Sequence, residues 1–300
     1  MYILSDFDYY KPQNIGDLKS CFSDVAKPVI LAGGTDLLLN LKDGSINPKT
    51  IIDIKGISSL KRIKLIGKKL EIGSLVTFSE IINSKVIKKE CPVLIEMAQK
   101  VASVAIRNRA TMVGNICAAV PCLDSGPPLM ALDAIVNVDG VNGKRSIPIL
   151  RFFKAPRKSA LKSKEIVTSV TIPLKFKKFA ACFLKLGRYK GEDLAQASVC
   201  VVLADGKFRV AFGSVGPTPI RAKGLEKWLD TLLENFYATL FPDDICSKDY
   251  IYKEISPIDD LRASKAYRYH MCQVMLERAA DVAVLRLNGK GPDYGDNSIL

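Results

Sequence analysis

Residues 27–44 read KPVILAGGTDLLLNLKDG. Val29, Ile30 and Leu31 form an apolar run rich in β-branched side chains, Ala32-Gly33-Gly34-Thr35 reads as a turn, and apolar residues continue from Asp36 at helical spacing. The pattern predicts strand, tight turn, helix. Two glycines directly after a strand permit positive φ and remove Cβ atoms, so backbone N–H groups can converge on an anion. Thr35 adds a hydroxyl, and the helix beginning near Asp36 adds its partial positive charge. Such a turn can hold a diphosphate. A strand-to-helix turn with two glycines is also common without any ligand.

A second stretch makes the ligand reading stronger. Residues 111–134 read TMVGNICAAVPCLDSGPPLMALDA. Thr111, Gly114 and Asn115 read as another turn of similar chemistry, offering a hydroxyl, a backbone without Cβ and a side-chain amide. Asp124 precedes Ser125-Gly126-Pro127-Pro128 and reads as a carboxylate at a turn, able to accept hydrogen bonds from sugar or ribityl hydroxyls. Two anion-friendly turns and one carboxylate, spaced by apolar Ile116, Ala118 and Ala119, suit a long ligand with a diphosphate at its centre. The pattern is not that of a dinucleotide fold, because no G-x-G-x-x-G follows a strand. GVNGKRS, residues 140–146, is too short for a phosphate-binding Walker loop and reads as a hairpin turn.

Elsewhere the chain alternates in character. KTIIDIKG and KLEIGSLVTFSEII each read as a strand leading into a turn or helix, and CPVLIEMAQKVAS as a helix opened by proline. LMALDAIVNVDGVNGKRSIPI reads as a helix end followed by a strand pair. From Glu165 onward EIVTSVTIPL, AACFLKLGRY and ASVCVVLADGKFRVAFGSV look like successive strands, with Asp205-Gly206 as the clearest hairpin signal. Helices are expected around Ala222–Leu240 and Asp259–Leu287. This places a boundary in the Lys/Pro/Ser-rich segment near 154–164, between a first domain over 1–160 and an α+β module over 161–290 with a small antiparallel sheet and helices on one face.

Composition narrows the function. Eight cysteines lie mostly in apolar segments without C-x-x-C spacing, and His270 is the only histidine. Buried reduced thiols are expected, and no zinc site or iron–sulfur cluster made by this chain. No run approaches the ~18 apolar residues of a membrane span, so a cytoplasmic protein is expected. The net charge is +13, but the lysines are dispersed in short groups such as KLIGKK and KFKK and no nucleic-acid-binding signature accompanies them, so a solvated or anion-steering surface is expected instead. No nucleophile or general-base constellation is present, so the chain itself is not expected to activate a carbon substrate.

The two loops, together with EIVTSVTIP, FLKLGRYKGEDLAQASVCVVL, GSVGPTPIRA and DDLRASKAYRYHMCQVMLERA, resemble the FAD-binding medium subunit of the molybdenum hydroxylases, the group of xanthine dehydrogenase, carbon monoxide dehydrogenase and 4-hydroxybenzoyl-CoA reductase. The likeness covers nearly the whole chain in order. It implies a two-lobed PCMH-type FAD domain, similar to the vanillyl-alcohol oxidase and MurB group, followed by an α+β domain. It implies that Leu31, Ala32, Gly33, Gly34, Thr35 and Asp36 wrap the FAD diphosphate, flanked by Ile30 and Leu37. Thr111, Gly114, Asn115, Cys117, Ala118 and Asp124 match the second cofactor loop, Lys185 a cofactor-contacting lysine and Leu194 a residue beside the isoalloxazine ring. Val167 and Leu161 match further apolar contacts. Where the family usually has two adjacent glycines, this chain has Val113-Gly114. A positive φ at Val113 would cost about 1–2 kcal/mol, so another turn conformation is expected.

The resemblance also implies partners: a large molybdopterin subunit that hydroxylates the substrate and a small subunit with two [2Fe-2S] clusters. FAD on this chain would pass electrons to NAD+ or another acceptor. A xanthine dehydrogenase-like assembly is the first expectation. The alternatives are a carbon monoxide or aromatic, heterocyclic or acyl-CoA dehydrogenase, or an independent MurB-like flavin oxidoreductase.

Overall fold

A computed structural model describes residues 6–25, 27–189, 192–235 and 248–296. Its first lobe is a parallel sheet of β1 (Asp8–Tyr10), β2 (Val29–Leu31) and β3 (Thr50–Asp53) in the order β1-β3-β2. Helix α1 (Ile15–Asp24) connects β1 to β2, and α2 (Leu37–Lys42) follows β2. The Asn14 side chain caps α1 by accepting from the Asp17 amide, supplying one of the orphan donors of the first turn. Leu18 and Phe22 of α1 then bury against Ile52, Ile54 and Ile57.

The second lobe is antiparallel. It contains β4 (Ile63–Ile66), β5 (Lys69–Gly73), β6 (Ile135–Gly140), β7 (Gly143–Pro148) and, after the short hairpin β8 (Phe153–Ala155) and β9 (Lys158–Ser159), β10 (Glu165–Pro173). The strand order is β4-β5-β10-β6-β7. Between β5 and β6 come six short helices, α3 (Phe78–Ile82), α4 (Lys85–Glu90), α5 (Val93–Gln99), α6 (Val104–Arg107), α7 (Met112–Ala118) and α8 (Gly126–Ala131). A full capping box starts α3, in which Thr77 accepts from the Glu80 amide while the Glu80 carboxylate accepts from the Thr77 amide. GVNGKRS is the β6–β7 hairpin turn, as its glycines predict.

The third sheet is a meander of β11 (Phe179–Leu186), β12 (Ala197–Ala204), β13 (Lys207–Gly213) and β14 (Ile220–Arg221). Asp205 and Gly206 both take positive φ, 49° and 75°, at the β12–β13 hairpin, the conformation that Asp-Gly favours. Helices α9 (Lys223–Asn235), α10 (Lys248–Glu254) and α11 (Lys265–Leu287) follow. The end of the helix expected to reach Leu240, and Cys246, lie outside the described residues. Residues 259–264, read as helical, instead form an irregular lead-in whose Ser264 caps α11.

Two differences from the sequence reading matter. Strand β10, assigned by its alternation to the C-terminal module, pairs with β5 and β6 at the centre of the second-lobe sheet. The chain crosses to the third sheet only after Pro173, so the segment near 160 does not separate the sheets. The third sheet is also covered on both faces. Cys182, Leu184, Val199 and Val201 enter one core with α9 and α11, whereas Ala181, Phe183, Cys200 and Val202 enter another with α5 and α8. Period-two alternation sends neighbouring residues to opposite faces, and here both faces are apolar. A local pattern shows that a strand is buried but not which strand lies beside it.

Candidate functional site

A cleft of about 860 Å³ opens between the lobes and the third sheet. That volume suits a sizeable organic ligand. One wall is the turn between β2 and α2. Gly34 takes φ +81°, and the Leu38 amide bonds back to the Gly34 carbonyl to close the first turn of α2. Gly33 has a separate reason to lack a side chain, because a Cβ there would lie 2.2 Å from the Arg109 carbonyl oxygen. The first loop therefore rests directly on the backbone that leads into the second.

Next to it stands the start of α7. Thr111, Gly114 and Asn115, expected as a turn, are a helix N-terminus: the Thr111 hydroxyl oxygen caps α7 by accepting from the Gly114 amide at 2.9 Å. Val113 is buried inside that helix and takes no positive φ, so the valine is accommodated without backbone strain. The Phe78 amide bonds to the Ala110 carbonyl, fixing the approach to the helix. Asn115 presents its carbonyl oxygen to the Ser125 amide at 3.2 Å, which leaves its NH₂ group for a ligand.

Asp124, in the turn ahead of α8, and Lys185, on β11, meet at the cleft floor. The Lys185 ammonium donates to Asp124 Oδ2 at 2.8 Å and to the Lys100 carbonyl at 2.9 Å, and both side chains are over nine-tenths buried. Burial pushes the Asp124 carboxyl up, against the pull of Lys185. Its Oδ1 is buried with no partner in the protein. Asp124 sits in the turn just ahead of α8 and is buried there.

A second orphan lies in the same cleft. Ser74, at the end of β5, buries a hydroxyl that has no partner. Buried polar groups are nearly always satisfied, so an unpartnered carboxylate oxygen and an unpartnered hydroxyl in one cleft fit a polar ligand. Apolar Ile54, Phe78, Ile106, Ile166 and Val167 complete the lining. Cys117 and Cys122 also line it, but burial pushes the Cys117 thiol up to about 12 and raises that of Cys122, so both stay protonated.

The structure brings the sequence-predicted residues together with one exception. Ile30, Ala32, Gly33, Gly34, Thr35, Asp36, Leu37, Thr111, Gly114, Asn115, Cys117, Ala118, Asp124, Leu161, Val167, Lys185 and Leu194 all line the cleft. Leu31 does not; its side chain packs beside Gly34. Leu194 stands at the rim, 48% exposed. Ser74, Arg157, Arg188 and Arg262 line the cleft without having been singled out. Only Ser74 had a usable signal, a small polar residue directly after a strand and a glycine; the arginines reach the mouth through tertiary packing.

Known proteins match the chain along most of its length. A model of the FAD binding domain in molybdopterin dehydrogenase matches residues 5–175, and one of the CO dehydrogenase flavoprotein C-terminal domain matches residues 182–283. The xanthine dehydrogenase FAD-binding subunit of Escherichia coli O157:H7 is 30% identical over 290 residues, covering 94% of this chain and 97% of that one. The nicotinate dehydrogenase FAD-subunit of Eubacterium barkeri is 33% identical over 257 residues, 79% of this chain and 85% of its own. Among solved structures, carbon monoxide dehydrogenase from Hydrogenophaga pseudoflava superposes with a TM-score of 0.85 at 27% identity, covering 95% of this chain and 99% of the matched one.

Proposed function

Because the chain belongs to the family of FAD-binding subunits of the molybdenum hydroxylases, we propose that it accepts electrons from the [2Fe-2S] clusters of a small partner subunit and passes them through FAD to NAD+ or another acceptor. A large molybdopterin subunit hydroxylates the substrate in this assembly. The first candidate is a xanthine dehydrogenase-like complex. Similar chains include carbon monoxide and nicotinate dehydrogenase subunits, so carbon monoxide or a heterocycle are the next substrates to try.

The residues present fit FAD. The observation that carries the reading is the unpartnered Asp124 Oδ1, held at the cleft floor by Lys185 and accompanied by the orphan Ser74 hydroxyl. When bound, FAD supplies the change between two-electron and one-electron transfer. The chain's own part is to bind and orient. The turn at 32–35 offers backbone N–H groups and the Thr35 hydroxyl to a diphosphate; Asp124 accepts from a ligand hydroxyl; Ile166 and Val167 exclude water from the inner wall. An independent substrate-reducing flavoenzyme needs a free acid beside the ring. Of the carboxylates in this cleft, Asp124, Glu165 and Asp193 are each engaged by a cation, Lys185, Arg145 and Arg188 in turn, and Asp36 and Glu192 are exposed to water, which favours the electron-transfer role.

The test is the visible spectrum of the full chain with the released cofactor identified after denaturation. One FAD per chain is expected, and Asp124→Asn is expected to weaken its binding about tenfold or more, as for a lost hydrogen bond to a charged group. A chain that is colourless and takes up no added FAD would overturn the proposal. Gly33→Ala is a poor probe, because its Cβ meets the Arg109 carbonyl before any ligand; Thr35→Ala tests the same loop without that clash.

A further inference from the structure

The hairpin β8–β9 and the segments flanking it carry Arg151, Lys154, Arg157, Lys158, Lys162 and Lys164, with no carboxylate between the first and the last. All but Lys164 are exposed. Glu165, which follows, is already held by Arg145 through two hydrogen bonds. This is a local concentration of positive charge; a second one, with five cations in residues 61–69, does not line the cleft.

The hairpin is also rigid and sits at the cleft. Phe152 and Phe153 anchor its base in the core, and the Ala160 amide bonds to the Phe152 carbonyl. At the tip Arg157 takes φ +57°, and its amide donates to the Ala119 carbonyl at the end of α7. Arg157 therefore lines the cleft while Arg151, Lys154 and Lys158 do not, so the charge runs from the cleft mouth outward over the surface. A bound dinucleotide would meet the tip alone. Elsewhere around the mouth, beside the cleft residues Arg188 and Arg262, stand Tyr189, Leu194 and Leu261, which are 59%, 48% and 104% exposed. Exposed apolar anchors together with a charged rim are the composition of a protein-docking surface.

We propose that this face docks an acidic one-electron carrier protein, of the ferredoxin or flavodoxin class, as the electron acceptor. The proposal rests on the flavin reading above and specifies the acceptor that reading leaves open. Each carrier takes one electron, so reoxidation of the two-electron cofactor reduces two carriers in succession and returns the cofactor's two protons to water. Complementary charge accelerates the encounter and fixes its orientation with the carrier's redox centre towards the cleft.

The experiment measures binding of a fluorescently labelled acidic bacterial ferredoxin to the full chain by anisotropy, with basic cytochrome c as control, at about 20 and about 200 mM salt. The triple variant Arg151→Glu, Lys154→Glu, Lys158→Glu is measured alongside; its changes are all at exposed positions outside the cleft. Ferredoxin binding that weakens about tenfold or more with salt and in the variant, while cytochrome c does not bind the wild type, is the expected result. Equal affinity of wild type and variant would overturn it. So would loss of ferredoxin binding in the native assembly purified from its host, since the face would then belong to a resident subunit. Binding is read with or without flavin, so a colourless chain refutes the flavin reading separately, and a flavin-loaded chain that ignores ferredoxin refutes only the docking.

Discussion

Two buried ion pairs tie the third sheet to the helices of the second lobe, and they are finished differently. Glu96 on α5 meets Arg286 on α11, with side chains 1% and 4% exposed. Both of its oxygens are occupied: Oε2 accepts from the Phe183 amide at 2.7 Å, and Oε1 accepts from Arg286 at 2.8 Å and from the Gly295 amide at 3.2 Å. Two residues along the same strand, Lys185 meets Asp124, where one oxygen is occupied and the other has no partner. A saturated carboxylate is a clamp between elements. An unsaturated one retains the capacity to bind something else, and only the second pair lies in the cleft.

Breaking the clamp should have the largest effect. Glu96→Ala leaves the Arg286 guanidinium buried without its counter-charge and the Phe183 amide without an acceptor, a loss of about 3–5 kcal/mol. The melting temperature should fall by roughly 10 °C, measured by calorimetry on the full chain. If the comparison is right, the double change Glu96→Leu with Arg286→Leu should recover much of that loss, since it removes both charges together. A double variant as unstable as Glu96→Ala would mean that the backbone amides, and not the charge pair, set the cost.

Val113 tests whether the departure from the usual pair of glycines weakens the site. The side chain is buried within α7, so Val113→Gly removes core volume and adds a flexible residue inside a helix, together about 2–4 kcal/mol. Chemical denaturation should show that loss with no gain in flavin affinity. A gain in affinity would show that the helical turn restricts the ligand after all. Asp124→Asn keeps an acceptor oxygen for Lys185 but removes its buried counter-charge, so it should lower the melting temperature of the flavin-free chain, by less than Glu96→Ala, and should also weaken cofactor retention.

These contrasts also explain what was legible in the sequence. The turn at 32–35 was readable because two glycines after a strand leave few conformational choices, and Asp205-Gly206 because both residues accept positive φ. Asp124 and Lys185 could each be singled out, but not their contact, since it joins a turn to a strand 61 positions away. Thr111-x-x-Gly114 looked like a turn because threonine and glycine are turn residues; threonine is equally an N-cap, and the helix that follows decides between them. Strand β10 was placed with its sequence neighbours because strand pairing is non-local, and Arg157 was invisible because only the fold brings the hairpin tip to the cleft.

The smallest expected effect concerns the rim. Asp193 is held down to about 2 by Arg188, whose guanidinium donates to its carboxylate, with the Arg188 and Leu194 amides adding to the hold. A carboxyl lowered in the folded state contributes stability that is fully present above its unfolded value, about 3.9, and lost as pH falls through the folded one. The loop carrying Leu194 should therefore keep its order from pH 7 down to about pH 4 and loosen only towards pH 2. Hydrogen exchange at the Arg188 and Leu194 amides, corrected for intrinsic rates, reads this directly, and Asp193→Asn should reproduce the loosened loop at neutral pH. Because the pair is at the rim and the buried clamp is remote from it, the change should leave the melting temperature nearly unmoved. Loosening already near pH 6 would instead point to a different group as the one holding the rim, and would place Leu194 under separate control from the cleft floor.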